Sequence, residues 1–233
     1  MTQAFNLSQF ANKVNTSGQA DLTTAVTGTL PVANGGTGIT SAGSNGNVLT
    51  SNGTSWVSQA ISAGGNYVMN AYVSPTTWTK PATIKAVKVT VIGGGGGSAA
   101  NPNTNQGAGG GGGTAIEYIP AASIPGPVSV TVGAGGNGAA GGTSSYGAFC
   151  SATGGGSGPP GSVAGTGGAG SGGTVNMVGQ AGINNSGGAT FMAAEVSGQV
   201  NGLIYGGGSG PKSGGPGTAL IGGTGVVIVE EFY

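Results

Sequence analysis

The chain has 233 residues, of which 56 are glycine, and only 4% are charged: five lysines, no arginine, no histidine and five acidic residues. Ordinary globular proteins contain about 25% charged residues and about 7% glycine. A net charge of zero at this low density argues against nucleic-acid binding, which depends on Lys and Arg side chains that neutralise phosphates.

The single cysteine, Cys150, excludes a disulfide framework within the chain, and without histidine it lacks the usual base of a nucleophilic thiol. We expect it to be a small buried apolar residue. The N-terminal sequence MTQAFNLSQFANKV has neither a basic start nor a continuous apolar run, so no signal peptide is predicted. No stretch approaches the roughly 18 apolar residues of a membrane span. The sequence predicts a protein that is made in the cytoplasm and is not embedded in a membrane.

Residues 1–60 are rich in Thr, Ser, Asn and Gln and contain one helical pattern, with Leu7, Phe10 and Val14 at i, i+3 and i+7. Turn sequences such as NGGTG and SNGTSW separate two short extended pieces, NVLTS and TSWVS. Single copies of such pieces bury little surface. This region is predicted to be a slender stalk that needs partner chains.

Residues 61–132 carry the clearest strand patterns and are predicted to form a β-rich base. AVKVTVIG and PVSVTVGAG both alternate valine with polar residues and share the pattern V-x-V-T-V. We expect these two strands to lie in one small sheet, which TAIEYIP and the C-terminal GVVIVEEFY complete. Since GVVIVEEFY follows all the glycine-rich sequence, the first and last strands of this domain are expected to be neighbours.

Residues 133–233 are predicted to be a glycine-rich distal region with a closing C-terminal strand. Fixing one glycine costs about 0.5–1 kcal/mol more than fixing alanine, or on the order of 30–50 kcal/mol for all of them. Collagen is excluded because the three-residue glycine spacing slips repeatedly. A flexible, disordered coil is one interpretation of this region. The interspersed apolar residues favour the other, in which extended helices with three residues per turn form backbone hydrogen bonds to adjacent helices. On this hypothesis the five-glycine runs at 93–97 and 109–113 are packing elements, and SAANPNTNQ between them is an exposed tip.

Two groups of motifs resemble tail fibres of tailed bacteriophages. LPVANGGTG followed by NVLTSNGTSWV resembles their N-terminal segments. The succession WTKPATIKAVKVTVIGGGGG, GGGGGTAIEYIP, VSVTVGAGGNG, GGTSSYGAF and GGTGVVIVEEFY resembles glycine-rich C-terminal receptor-binding domains of such fibres. Together they cover residues 28–58 and 78–233. No long shaft is present, so the resemblance is to a short fibre.

The resemblance implies an all-β fold: a short β-rich trimeric stalk, a small β-sheet base and a polyglycine-II-like distal domain. It implies a homotrimer in the virion, joined through its N-terminus to other tail or baseplate proteins. The expected function is to attach the phage to a host cell through a bacterial surface glycan or an outer-membrane protein. A purely structural fibre component is the main alternative, and an ice-binding protein and a capsule depolymerase are the others.

Loops on a rigid scaffold are where binding residues concentrate. Tyr205 is equally consistent with receptor contact and with packing, whereas Tyr146 and Phe149, beside Cys150, are expected in the core. Lys212 is expected to be an exposed loop charge within reach of an anionic receptor. The candidate receptor-binding residues are Asn101, Asn103, Asn105, Asn184, Asn185, Asn201, Tyr205 and Lys212.

No catalytic, cofactor or metal site is predicted. GAGGNG at 133–138 and GGGSGPKSGG at 206–215 approach nucleotide-binding patterns, but no helical sequence follows either. A glycosidase needs paired carboxylates, whereas the neighbours Glu230 and Glu231 fall on opposite faces of a strand. Absence of histidine and a single cysteine exclude the usual transition-metal sites.

Overall fold

A computed structural model describes residues 3–20, 32, 36–60, 67–100, 104–214 and 218–233 of the chain. The chain divides into two compact units, residues 1–64 and residues 65–233.

The first unit contains one helix and one hairpin. Helix α1 (Gln3–Ala11) includes Leu7 and Phe10 but ends before Val14, and none of its residues is buried. Strands β1 (Asn47–Ser51) and β2 (Trp56–Ala60) pair antiparallel. Between them the Asn52 side-chain oxygen accepts hydrogen bonds from the backbone N–H groups of Thr54 and Ser55, which fixes the turn. The helix and both strands were predicted and are confirmed, and the trimeric stalk stays a prediction.

The second unit is built on two five-stranded sheets, and the all-β fold class is confirmed. Both sheets take strands from residues 61–132 and from residues 133–233, so these two predicted regions interleave in one compact unit. The ten strands of these sheets are β3 (Tyr67–Tyr72), β4 (Thr76–Trp78), β5 (Ala86–Ile92), β6 (Thr114–Pro120), β7 (Val128–Thr131), β8 (Ser144–Tyr146), β9 (Cys150–Ala152), β10 (Gly170–Ser171), β11 (Val175–Met177) and β14 (Val226–Phe232). Strands β12 (Ser186–Gly187) and β13 (Val196–Ser197) form a separate antiparallel pair.

The first sheet has the order β11-β6-β5-β14-β3 and the second the order β10-β9-β8-β7-β4. Strand β14 pairs antiparallel with β5, with Val227 opposite Val91, so the expected contact between first and last strands is confirmed. The expectation that the two V-x-V-T-V strands share one sheet is wrong. Strand β5 belongs to the first sheet and β7 to the second, because each pattern buries its valines in the same core from opposite sides.

The core lies between the two sheets. Alternate residues of a strand point to one face, and the valines of β5, β7 and β14 fill the space between the sheets together with Trp78 and Tyr146. The Trp78 and Tyr146 ring centroids lie 5.8 Å apart. Tyr146 and Cys150 are buried and Phe149 packs against them, which confirms their predicted place in the core. Burial also raises the pKa of the Tyr146 hydroxyl above its ordinary value.

The buried Cys150 thiol gives a direct test of this core. Burial and, secondarily, the charge of Glu117 raise the pKa of Cys150 to about 12. Since the thiolate is the reactive form, we expect iodoacetamide to leave the native protein unmodified for hours at mildly alkaline pH and to alkylate the guanidinium-unfolded chain within minutes. Mass spectrometry of the intact chain measures this, since Cys150 is the only cysteine. Native and unfolded chains that react at similar rates would contradict this packing.

Beside the sheets lies a bundle of glycine-rich segments, here called the glycine bundle: residues 93–98, 106–113, 133–143, 153–170, 177–190, 200–212 and 219–225. Along residues 93–98, successive backbone N–H groups donate to three different neighbouring segments in rotation and return to the same segment every third residue. The pairs are Gly93 to Gly113 and Gly96 to Gly110, Gly94 to Gly142 and Gly97 to Ala139, and Gly95 to Gly223 and Ser98 to Leu220.

This rotation is the hydrogen-bond pattern of a helix with three residues per turn. Carbonyl groups of residues 93–98 accept from three further stretches of chain, through Gly136, Gly155 and Ser209. The segment 133–143 supplies two of the neighbours because it folds back on itself, with the Gly142 N–H donating to the Ala134 carbonyl oxygen. Residues 106–113 are surrounded in the same way, since they donate to residues 153–159, 180 and 206–212 and accept from residues 93–96, 165–168 and 188. Each five-glycine run therefore lies inside a ring of six neighbours, which confirms its predicted packing role.

Glycine is required in these runs by the closeness of neighbouring backbones. A Cβ atom added at Gly96 would lie 1.9 Å from the Gly156 carbonyl oxygen, and one at Gly110 would lie 1.9 Å from the Thr166 carbonyl oxygen. Real Cβ contacts essentially never fall below 3.0 Å. A side chain at either of these positions would therefore collide with a neighbouring backbone.

Candidate receptor-binding site

The glycine bundle has a sheet end and a far end. Residues 93–98 follow directly from β5, and residues 106–113 lead directly into β6, so the loop between them lies at the far end. Residues 153–170 run from β9 to β10, and residues 219–225 lead directly into β14. The described loop residues at the far end are 99–100, 104–105, 159–163, 183–185, 213–214 and 218, and residues 101–103 and 215–217 lie outside the described residues.

These loops surround a recess of about 130 Å³, here called the apical recess. Four of the eight predicted receptor-binding residues line it, although they come from three loops far apart in sequence. The lining residues are Asn105, Gln106, Ser162, Asn184, Asn185, Pro211, Lys212 and Ser213.

Asn105 ties three loops together. Its carbonyl oxygen accepts hydrogen bonds from the backbone N–H groups of Gly161 at 3.0 Å and Ser162 at 3.3 Å. Its side-chain oxygen accepts from the Gly214 N–H at 2.7 Å. The loop positions around the recess are therefore fixed by hydrogen bonds to backbone groups.

Another part of the recess wall is held by Ser197 of strand β13 and by the two residues that follow this strand. The Asn185 carbonyl oxygen accepts from the Gly198 N–H at 2.9 Å, and the Asn185 side-chain nitrogen donates to the Ser197 hydroxyl at 3.3 Å. The Ser213 N–H donates to the side-chain oxygen of Gln199 at 3.2 Å. Polar side chains thus serve both as wall and as support.

Gln106 lies deepest in the recess wall, where its residue is only 1% exposed. Its backbone N–H donates to the Lys212 carbonyl oxygen at 2.7 Å, and its side-chain nitrogen donates to the Thr104 carbonyl oxygen at 3.0 Å and hydroxyl at 2.8 Å. Gln106 ended the predicted tip segment but was not among the predicted contact residues. The available signal was a long polar side chain directly before a glycine run, where no room for it is expected.

Of the other four predicted residues, Asn201 and Tyr205 do not line the apical recess. The Asn201 side-chain oxygen accepts from the Ile221 N–H at 2.9 Å and so supports the bundle. The Tyr205 carbonyl oxygen accepts from the Thr190 hydroxyl at 2.8 Å, and the next residue donates to Thr224 near β14, which places Tyr205 at the sheet end. Asn101 and Asn103 lie outside the described residues.

The nucleotide-like patterns lie in the glycine bundle. In residues 133–138 the Gly136 N–H donates to Gly95, and in the similar sequence at 165–170 the Gly165 and Gly168 N–H groups donate to Ala108 and Gly111. These donors are used within the bundle. They are not turned toward a shared phosphate position at the start of a helix.

The two neighbouring carboxylates of β14 occupy opposite faces, as predicted. Glu231 is buried and accepts hydrogen bonds from Trp78 Nε1 at 2.7 Å, Asn70 Nδ2 at 3.2 Å and the Tyr233 hydroxyl at 2.8 Å. Glu230 forms an ion pair with Lys88 at 2.7 Å. Partial burial acts to raise the pKa of Glu230, but the hydrogen bonds from Lys88 and Tyr67 outweigh it and hold the pKa below its usual value. Across the described ranges, no three His, Cys, Asp or Glu side chains cluster as metal ligands.

A family model described as a glycine-rich domain matches residues 70–231, most of the chain. The chain therefore belongs to this glycine-rich domain family. No curated protein matches it. Within the part of the chain that the structure describes, no helix combines the length and the apolar content needed to cross a bilayer.

Proposed function

We propose that the chain is a tail-fibre adhesin of a tailed bacteriophage, which recognises a receptor on the surface of a bacterial host. In this proposal it is a homotrimer within the virion. Residues 1–60 attach it to other tail or baseplate proteins, and the glycine bundle presents the apical recess to the cell.

The observation that carries the proposal is the meeting of Asn105, Asn184, Asn185 and Lys212 around one recess at the far end of the bundle. Clefts with a few convergent polar groups are the usual form of ligand sites. The bundle beneath is held by backbone hydrogen bonds in three directions. A recess on such a support keeps its geometry at little entropic cost when it binds, which favours recognition.

Trimerisation would add to this attachment without any new contact. Three linked weak sites bind a surface that displays many receptors with a strength beyond that of one site, provided that the linkage lets them bind together. A recess of modest affinity is therefore sufficient for an adhesin.

The test is binding of the purified full-length protein to bacterial cells. We expect the protein, fused to a fluorescent protein at its N-terminus, to label a subset of a diverse panel of bacterial strains in flow cytometry. The double variant Asn184→Ala/Asn185→Ala is expected to lose at least about tenfold of this labelling, since polar contacts to a bound group contribute about 1.4 kcal/mol or more in total.

Asn137→Ala is the matched control, because Asn137 is an exposed asparagine of the glycine bundle that does not line the recess. It is expected to label cells like the unchanged protein. A protein that labels no strain would support the purely structural alternative. Equal labelling by all variants would place receptor contact outside the recess.

A further inference from the structure

The apical recess contains a buried hydrogen-bond acceptor that the described residues leave unused. The side-chain nitrogen of Gln106 is engaged by Thr104, but Gln106 Oε1 is buried with no hydrogen-bond partner among the described residues. A buried polar atom without a partner costs about 1–3 kcal/mol, and in native proteins such atoms call for an explanation. Gln106 lines the recess, so a ligand hydroxyl that reaches Oε1 from there would supply the missing donor.

The rest of the recess wall offers neutral polar groups. In the described part of the chain, the Asn184 amide and the Ser162 hydroxyl line the recess without making a hydrogen bond of their own. Amides and hydroxyls both donate and accept. Among the described residues of the wall, Pro211 is the one apolar residue and none is aromatic. This composition suits a ligand rich in hydroxyl groups better than an apolar peptide anchor.

Lys212 adds one positive charge. Among the described residues, its Nζ donates only to the Ser213 carbonyl oxygen, at 3.4 Å, and none of those that line the recess carries a carboxylate. The ion pair found among the described residues joins Lys88 to Glu230. A lysine ammonium that has no anionic partner can donate to a carboxylate or a phosphate. The ligand that fits this wall therefore carries one anionic group beside its hydroxyls.

We infer that the apical recess binds an acidic sugar residue, with its anionic group on Lys212 and a hydroxyl group donating to Gln106 Oε1. This inference rests on the proposed function and narrows its receptor to an anionic surface glycan. The recess volume of about 130 Å³ compares with about 30 Å³ per water in the liquid, so it accommodates the edge of one sugar ring with its substituents.

The experiment titrates the full-length protein with glucuronate, a glucose phosphate and glucose, followed by saturation-transfer NMR and calorimetry. We expect at least one anionic sugar to bind about tenfold more tightly than glucose, and Lys212→Gln to remove that advantage. The phosphate and carboxylate arms distinguish the two sources of charge. Lys85→Gln, which removes an exposed lysine outside the recess, is expected to change nothing.

A second variant tests the buried acceptor. Gln106→Leu is expected to weaken binding of the anionic sugar about tenfold while Cys150 stays protected from alkylation, which shows that the fold is kept. Equal affinities for the charged and uncharged sugars, or unchanged affinity in Lys212→Gln, would overturn the inference.

The outcomes separate the inference from the proposed function. If cell labelling depends on Asn184 and Asn185 but the protein shows no preference for anionic sugars, the inference is wrong and the adhesin role is supported. Anionic sugar binding that Lys212→Gln abolishes, together with no labelling of any strain, upholds the sugar site and sinks the adhesin role.

Discussion

Replacing Gly96 with alanine is expected to destabilise the second unit by about 3 kcal/mol, or to prevent its folding. The added Cβ would lie 1.9 Å from the Gly156 carbonyl oxygen, inside a ring of six backbone neighbours. Overpacking by one methyl group costs about 1–3 kcal/mol when side chains give way. Here a backbone must move, and its movement breaks hydrogen bonds to further segments. Guanidinium unfolding followed by Trp78 fluorescence and Cys150 alkylation measures the loss.

Gly126→Ala is the matched control, because a Cβ at Gly126 meets nothing within 4 Å. Since alanine reduces the freedom of the unfolded chain, this variant is expected to be unchanged or about 0.4–1 kcal/mol more stable. If Gly96→Ala unfolds at the same denaturant concentration as Gly126→Ala, the close-packed bundle is refuted. The comparison separates packing from the general effect of replacing glycine.

Replacing Glu231 with alanine is expected to cost about 3 kcal/mol. Trp78 Nε1, 2.7 Å from a Glu231 carboxylate oxygen, would be left in the core without an acceptor. An orphaned buried donor costs about 1–3 kcal/mol, and the cavity left by the side chain adds to it. Glu231→Gln keeps an acceptor oxygen for Trp78, so its expected loss is smaller, about 1 kcal/mol. Chemical unfolding of the three proteins measures these differences.

Glu230→Ala tests the opposite face of the same strand. In this ion pair the Lys88 side chain is 44% exposed and the Glu230 side chain 16% exposed. Because Lys88 and Tyr67, the two donors left behind, both reach solvent, the expected loss is about 1 kcal/mol or less. We expect this variant to unfold close to the unchanged protein. A loss in Glu230→Ala as large as in Glu231→Ala would show that the buried hydrogen bonds of Glu231 are not what secures the C-terminal strand.

In this nearly uncharged chain, the two sheets and the glycine bundle are stabilised in different ways. The two sheets bury valine and aromatic side chains in an ordinary core. The bundle next to them has glycine at its centre and is held by backbone hydrogen bonds in three directions. Its polar side chains are left for the loops, where Asn105, Asn185 and Gln106 shape the apical recess.

Four of the eight residues that line the apical recess were predicted from the sequence. Polar loops between glycine runs predicted Asn105, Asn184, Asn185 and Lys212 as exposed loop residues, and these four meet in one recess. Asn201 and Tyr205 stand in an equally polar, glycine-rich stretch, yet they support the bundle or lie at its sheet end. Local composition cannot tell at which end of the bundle a loop lies.

The sequence by itself determined strands β5, β6, β7 and β14 of the second unit, through their apolar patterns, and the packing role of the two five-glycine runs, through the high cost of ordering glycine. Only the tertiary structure decided which glycine-rich segments are neighbours. Glycine runs carry no side chains that distinguish one partner from another, so long-range backbone hydrogen bonds select among near-identical pairings. The two V-x-V-T-V strands were predicted in one sheet because their patterns match, but a shared valine pattern suits facing positions across a core equally well, and that is where they lie.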